Sequence, residues 1–167
     1  MRREATGKLV AVPVRAYADT SVFGGVFDEE FAKSSKMFFQ LVRDGVYRLV
    51  LATPVRDELT GAPAHVRKLL SELAPHAESL EVTEAAIDLQ EAYLRAGVVT
   101  VHSRLDALHV ALATVARCGL IVSWNFKHIV NFRRIPLYNG VNMANGYGPL
   151  AICSPLEVIE YEDDETV

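Results

Sequence analysis

Asp19, Glu58 and Asp106 each stand close to where an apolar segment ends or begins. Asp19 follows Val14-Arg15-Ala16-Tyr17-Ala18, Glu58 comes shortly after Leu49-Val50-Leu51-Ala52, and Asp106 opens the periodic stretch Leu105, Leu108, Leu112, Val115. An α/β fold gathers strand ends and helix ends, so acids in these places can converge. Converging carboxylates supply the hard oxygens that Mg²⁺ or Mn²⁺ takes, and they leave positions for water and a phosphate. Each acid also has a plainer reading. Asp19 could cap the turn before the first helix, and Asp106, three residues after Ser103, could favour the positive end of its helix. Glu58 could be a solvated helix residue, with Asp57 beside it as a rival. Taken singly, the acids leave both readings open.

Around these acids stand further polar residues. Thr20 and Ser123 are hydroxyls able to fix carboxylates or waters from behind. Lys127, His128, Arg133 and Arg134 form a basic cluster just after Asn125 that could grip a phosphate backbone or simply be solvated. His109 lies on the apolar side of its helix and reads as a core histidine rather than a ligand. His102 and His128 have no second histidine at metal-binding spacing and suit a substrate-side or structural role. Trp124, the only tryptophan, reads as packing in preference to base stacking. Phe38, Phe39 and Tyr93 fit the core or an interface.

Half of the 167 residues are hydrophobic, enough for a sizeable single core. The formal net charge is −4, yet six acids fall from Glu157 onward, leaving 15 acidic residues against 17 Lys and Arg in the body. That mild basic balance allows a polyanionic substrate without requiring one. Cys118 and Cys153 sit among apolar residues and read as reduced and structural, which suits the cytoplasm. No apolar run approaches the roughly 20 residues that span a bilayer, so no membrane role is expected. The start superficially resembles a signal peptide, but Pro13 and Arg15 interrupt it, and it reads as a first strand.

The elements that must position the acids follow from periodicity. After Asp19 comes a small-residue turn, Thr20 to Gly25, then a helix capped by Asp28 and ended by Gly45. A strand over 48–52 runs into Pro54, which starts a short helix carrying Glu58. Helices follow from near Pro63 and from Thr83, the latter stopped by Gly97, and 98–101 reads as a short extended segment. Ser103 caps a helix running to about Cys118, with Gly119 as its stop. Leu120-Ile121-Val122-Ser123 has the wholly apolar character of a strand buried on both faces. Residues 139–149 read as a loop and 150–159 as an edge strand or packed strap. Strands alternating with helices predict an α/β fold with a largely parallel sheet, whose ligand crevice lies at the carboxyl ends of the strands. Residues 1–13 are read as a lead-in, 14–159 as one domain including a C-terminal strap 136–159, and 160–167 as an acidic tail.

Tyr17-Ala18-Asp19-Thr20-Ser21, Val55-Arg56-Asp57-Glu58-Leu59, the helix Leu105-Asp106-Ala107-Leu108-His109-Val110-Ala111-Leu112-Ala113 and Ile121-Val122-Ser123-Trp124-Asn125, in that order, resemble a PIN-domain ribonuclease of the VapC toxin type. The resemblance covers roughly residues 14–135, and the ordered set carries it, each block being weak alone. It implies a Rossmann-like α/β/α sandwich, Mg²⁺- or Mn²⁺-dependent endoribonuclease activity on RNA, a homodimer and commonly a small antitoxin partner. Asp19, Glu58 and Asp106 match the family's metal-binding acids. The fourth position departs from it: many members have Thr/Ser-x-Asp where this chain has Ser123-Trp124-Asn125, and the alternative place three residues later holds His128, so Asn125 is read as completing the site with a carbonyl oxygen or an oriented water but no charge. Three carboxylates carry −3, so one Mg²⁺ leaves −1 and a second ion is best tolerated once a phosphate arrives. The alternative is a noncatalytic PIN-like module that binds RNA or protein. A phosphatase built on a similar sheet would want a second Asp where Ser21 stands, and no Walker loop is present.

Overall fold

The computed structural model describes residues 2–3, 9–10 and 12–159. Its architecture follows from three central runs that bury both faces, flanked by two short edge strands. Strands β1 (Arg2–Arg3) and β2 (Leu9–Val10) pair antiparallel as a separate ribbon. The main sheet contains β3 (Val14–Ala18), β4 (Tyr47–Ala52), β5 (Glu78–Leu80), β6 (Leu120–Val122) and β7 (Ala151–Cys153). Its order is β5-β4-β3-β6-β7 with every pair parallel. Ala16, Tyr17, Ala18, Val50, Leu51, Ala52, Ile121 and Val122 are fully buried, as expected of central strands covered by helices on both sides. From β3 the chain moves outward to β4 and β5, then returns across it to β6 and β7. Right-handed crossovers therefore put the two sets of helices on opposite faces.

One face carries α1 (Thr20–Gly25), α2 (Ala32–Arg43), α3 (Thr53–Thr60), α4 (Ala64–Leu73) and the short α8 (Pro155–Val158), which pack on one another. The other carries α5 (Glu84–Arg95), α6 (Arg104–Val115) and α7 (Ile135–Ala144). The reversal of winding falls between β3 and β6, which opens a crevice beyond their carboxyl ends. Asp19 and Ser123 are the first residues past those two strands.

Several sequence expectations change. Thr20 to Gly25 is a helix rather than a turn, with Asp19 as its N-cap. Helix α2 starts at Ala32 with Phe31 in the cap position, and Asp28 instead accepts the Glu30 N–H in the preceding turn at 2.9 Å. Residues 98–101 join no sheet: Val98 gives its carbonyl to the Arg134 guanidinium, and a 3₁₀ turn follows at Val101–Ser103. Helix α6 ends at Val115, and Arg117 (φ 55°), rather than Gly119, takes the left-handed conformation. Gly119 is required for a different reason, since a Cβ there would sit 2.6 Å from Val14 Cγ1. The expected loop 139–149 begins as the end of α7. Asn142 is buried and bonds Tyr93 and Thr114, while Asn139 bonds both backbone groups of Leu150, so tertiary hydrogen bonds override poor helix propensity. Leu150 onward supplies the expected edge strand, β7, followed by α8. Strand β5 is polar enough to escape notice in sequence. The acidic tail, 160–167, and most of the lead-in lie outside the described residues.

Candidate metal centre

Asp19 is pinned at the end of the central strand because its N–H continues the β3–β6 ladder to the Val122 carbonyl, at 3.2 Å, and its side chain caps α1. The carboxylate is 5% exposed. Oδ1 accepts from the Ser21 N–H at 3.2 Å and the Ser21 hydroxyl at 2.5 Å, and Oδ2 accepts from the Ser123 hydroxyl at 2.6 Å. Both hydroxyls also accept from the loop beyond β6: Trp124 N–H donates to Ser21 Oγ at 2.8 Å and Asn125 N–H to Ser123 Oγ at 2.9 Å. Ser21 and Ser123 thus tie that loop to Asp19. Burial raises the Asp19 pKa more than the two serine hydrogen bonds and the nearby His109 lower it, and the charge of Glu58 raises it further. A cation placed beside the ionised carboxylate would offset that desolvation.

Glu58 projects from α3, whose first turn is set by Pro54 immediately after β4. Its Oε2 accepts from Thr20 Oγ1 at 2.9 Å, and Oε1 lies 2.8 Å from His109 Nε2. His109 Nδ1 is 2.6 Å from the Tyr17 hydroxyl. An ionised Glu58 can only accept, so Nε2 donates to it, and Nδ1 shares the other hydrogen bond with the Tyr17 hydroxyl. Desolvation raises the Glu58 pKa, but the His109 hydrogen bond and charge, with the Thr20 hydroxyl, outweigh it and hold the carboxyl below its usual value. Burial, with Asp19 and Glu58 nearby, pushes the Tyr17 hydroxyl well above its ordinary value, so it stays protonated. Asp57, the rival in sequence, is exposed and makes no side-chain hydrogen bond among the described residues.

Asp106 lies in the first turn of α6, one turn before His109, half-buried and without a side-chain hydrogen bond among the described residues. Among those residues no group of three or more His, Cys, Asp or Glu side chains is gathered around one point. Hard oxygens nonetheless remain free on the acids at this end of the sheet. Glu58 has a lone pair left on each oxygen, Asp19 has one on Oδ2, and Asp106 is uncommitted, which matches the preference of Mg²⁺ for one or two carboxylates with water. Asn125 Oδ1 accepts the His128 N–H at 2.9 Å and closes the turn after β6, which commits one of its two lone pairs and holds the amide in that turn.

The basic cluster divides. Lys127 and Arg133 are exposed and border a shallow cavity of about 440 Å³ with Asn131, Arg134 and Leu137. Arg134 spends its guanidinium on the carbonyls of Lys127 and Val98. His128 donates its N–H to Asn125 and accepts the Tyr138 hydroxyl at its carbonyl, and its buried Nδ1 has no partner among the described residues. Trp124 is buried, donates to Ser35 Oγ at 2.8 Å and stacks on Phe31 at 4.3 Å, so it packs the core. Cys118 and Cys153 are both free, the first buried and the second half-buried. No helix among the described residues is long and apolar enough to cross a membrane. Sequence reasoning missed Ser21 and the contact of His109 with Glu58. Only the serine, two residues past Asp19 at the start of a small-residue stretch, had a local signal.

No family model matches the sequence, and no curated relative matches it. Solved structures do. A chain of a toxin–antitoxin complex from Klebsiella pneumoniae is similar with a TM-score of 0.53 at 15% identity, over 71% of this chain and 93% of that one. A chain of VapBC2 from Rickettsia felis, solved bound to a DNA fragment from the promoter of the pair, gives 0.54 at 14% identity, over 73% and 93%. The fold is therefore the PIN type of VapC toxins, an α/β sandwich around a parallel sheet. At these identities the likeness establishes the fold alone.

Proposed function

We propose that the protein is a Mg²⁺- or Mn²⁺-dependent endoribonuclease, the toxin half of a type II toxin–antitoxin pair, acting as a homodimer with a small antitoxin as partner. The observation that carries the reading is the buried Asp19 carboxylate at the β3–β6 switch point, braced by two serines, with Glu58 tied to the neighbouring Thr20. The toxin–antitoxin assemblies of the structural neighbours support the partner. Asp19, Glu58 and Asp106 would hold the ion. Bound there, it would acidify a water for attack on a phosphodiester and offset charge on the reacting phosphate. Thr20, Ser21 and Ser123 keep the carboxylate planes fixed. Lys127 and Arg133 present exposed cations to the RNA backbone, while Arg134 and His128 shape the loop that carries them.

One observation favours a second reading, a noncatalytic RNA- or protein-binding module. Asn125 uses its oxygen within its own turn and no carboxylate stands at 125 or 128, so the fourth position contributes no charge. RNA cleavage by highly purified protein, with and without Mn²⁺, separates the two. The nuclease reading expects Mn²⁺-dependent cleavage that Asp19→Asn abolishes. RNA binding without cleavage by the wild type at any Mn²⁺ concentration would establish the module.

A further inference from the structure

Helix α6 buries Ala107, Leu108, Val110, Ala111, Leu112 and Ala113, yet in their midst it also buries His109, which is only 3% exposed. An aliphatic side chain would fill that volume without the cost of desolvating an imidazole, which burial exacts unless both nitrogens are bonded. Both are bonded: Nδ1 at 2.6 Å to the buried Tyr17 hydroxyl and Nε2 at 2.8 Å to Glu58 Oε1, a carboxylate 32% exposed. The chain of contacts closes on itself. Tyr17 lies two residues before Asp19 and Thr20 one residue after it, and Thr20 holds the other oxygen of Glu58 at 2.9 Å. One ring of hydrogen bonds and backbone therefore runs from β3 through α6 and α3 and back to the residue following Asp19. Glu58 would otherwise be a flexible side chain on an eight-residue helix.

We propose that His109 is a positioning residue of the candidate metal centre, holding the Glu58 carboxylate in a fixed plane beside Asp19, and that Tyr17 in turn fixes the His109 ring. The assignment rests on the nuclease reading above. It predicts that His109 governs metal affinity beyond any contribution it makes to the core. Ligand-orienting partners of this sort change metal affinity by about 10- to 100-fold.

The test is Mn²⁺ affinity, read by electron paramagnetic resonance of free Mn²⁺, alongside thermal unfolding of the metal-free protein. Tyr17→Phe combined with His109→Leu removes both buried polar partners together, the change that best spares the fold. The expected result is a metal-free melting temperature close to wild type with Mn²⁺ affinity about 10- to 100-fold weaker. His109→Gln can still donate to Glu58 and should recover most of that affinity, whereas His109→Asn, too short to reach Glu58, should not. This pair carries the test if the double variant does not fold. Unchanged or tighter Mn²⁺ binding in the double variant, or equal affinity for the Gln and Asn variants, overturns the positioning role alone. A wild type that binds no Mn²⁺ overturns the metal reading and this role with it.

Discussion

At the scale of single residues, the two best-held carboxylates carry opposite electrostatic signs. Asp19 has a raised pKa, chiefly from desolvation, so its ionised form costs stability; that cost is absent below the ordinary aspartate range and complete above its folded value. Asp19→Asn should therefore melt above wild type at neutral pH without metal, by about 2–4 °C for each kcal/mol relieved. The gain should disappear as pH is lowered beneath the ordinary aspartate range, and a pH series of melting curves checks it. Glu58, held below its usual value by His109 and Thr20 against the pull of desolvation, contributes stability above the ordinary glutamate range and loses it as pH falls through its folded pKa. Glu58→Gln should accordingly lower the melting point at neutral pH. Asn125 allows a sharper experiment. An Asp there can still accept the His128 N–H and close the turn, while its second oxygen adds charge near the site. Asn125→Asp should lower metal-free stability slightly and raise cleavage at limiting Mg²⁺, with less effect at saturation. A Mg²⁺ titration of RNA cleavage, with His128→Asp as control, reads the outcome. Improvement only in the control would move the fourth position to 128.

At the scale of elements, helix α7 is the part least legible in sequence. Asn139, Gly140, Asn142 and Asn145 all read as loop formers, and the helix exists because Asn142 is buried against Tyr93 and Thr114. Asn142→Ala should cost about 1–3 kcal/mol, the penalty for stranding buried hydrogen-bonding groups. It should also release α7 first, since Asn142 ties that helix to α5 and α6. Chemical denaturation gives the loss, and amide exchange across 135–144 locates it. The strands that bury both faces and the helices of strong period were readable because local pattern and tertiary demand agree. Thr83 is one such signal, its hydroxyl accepting the Ala86 N–H at 3.2 Å. Strand β5 was not readable, because Glu78 and Ser79 are polar and pair at an edge. There Glu78 meets Arg15 of β3 in a two-point ion pair at 2.5 and 2.9 Å, reaching past β4.

At the scale of the whole molecule, the winding of the sheet is what turns scattered acids into a site. Asp19 and Ser123 are 104 residues apart in sequence and 2.6 Å apart in space because β3 and β6 are parallel neighbours. Sequence order alone could place Asp19, Glu58 and Asp106 at element ends, but the His109 ring depends on how α3 and α6 meet across the end of β3, which no local pattern encodes. The basic balance of the body reaches the surface near this end through Lys127 and Arg133, with Phe132, 91% exposed, between the ends of the cluster. The central claim is that the carboxyl end of the sheet is a cation site built around Asp19. Its most direct test is thermal unfolding of the wild type and of Asp19→Asn across a Mn²⁺ titration, because a ligand bound only by the folded state stabilises it by mass action. The account predicts that wild type gains stability with rising Mn²⁺ while Asp19→Asn, more stable at the outset, gains little or nothing. A wild type indifferent to Mn²⁺, or a variant that gains as much as wild type, would contradict it.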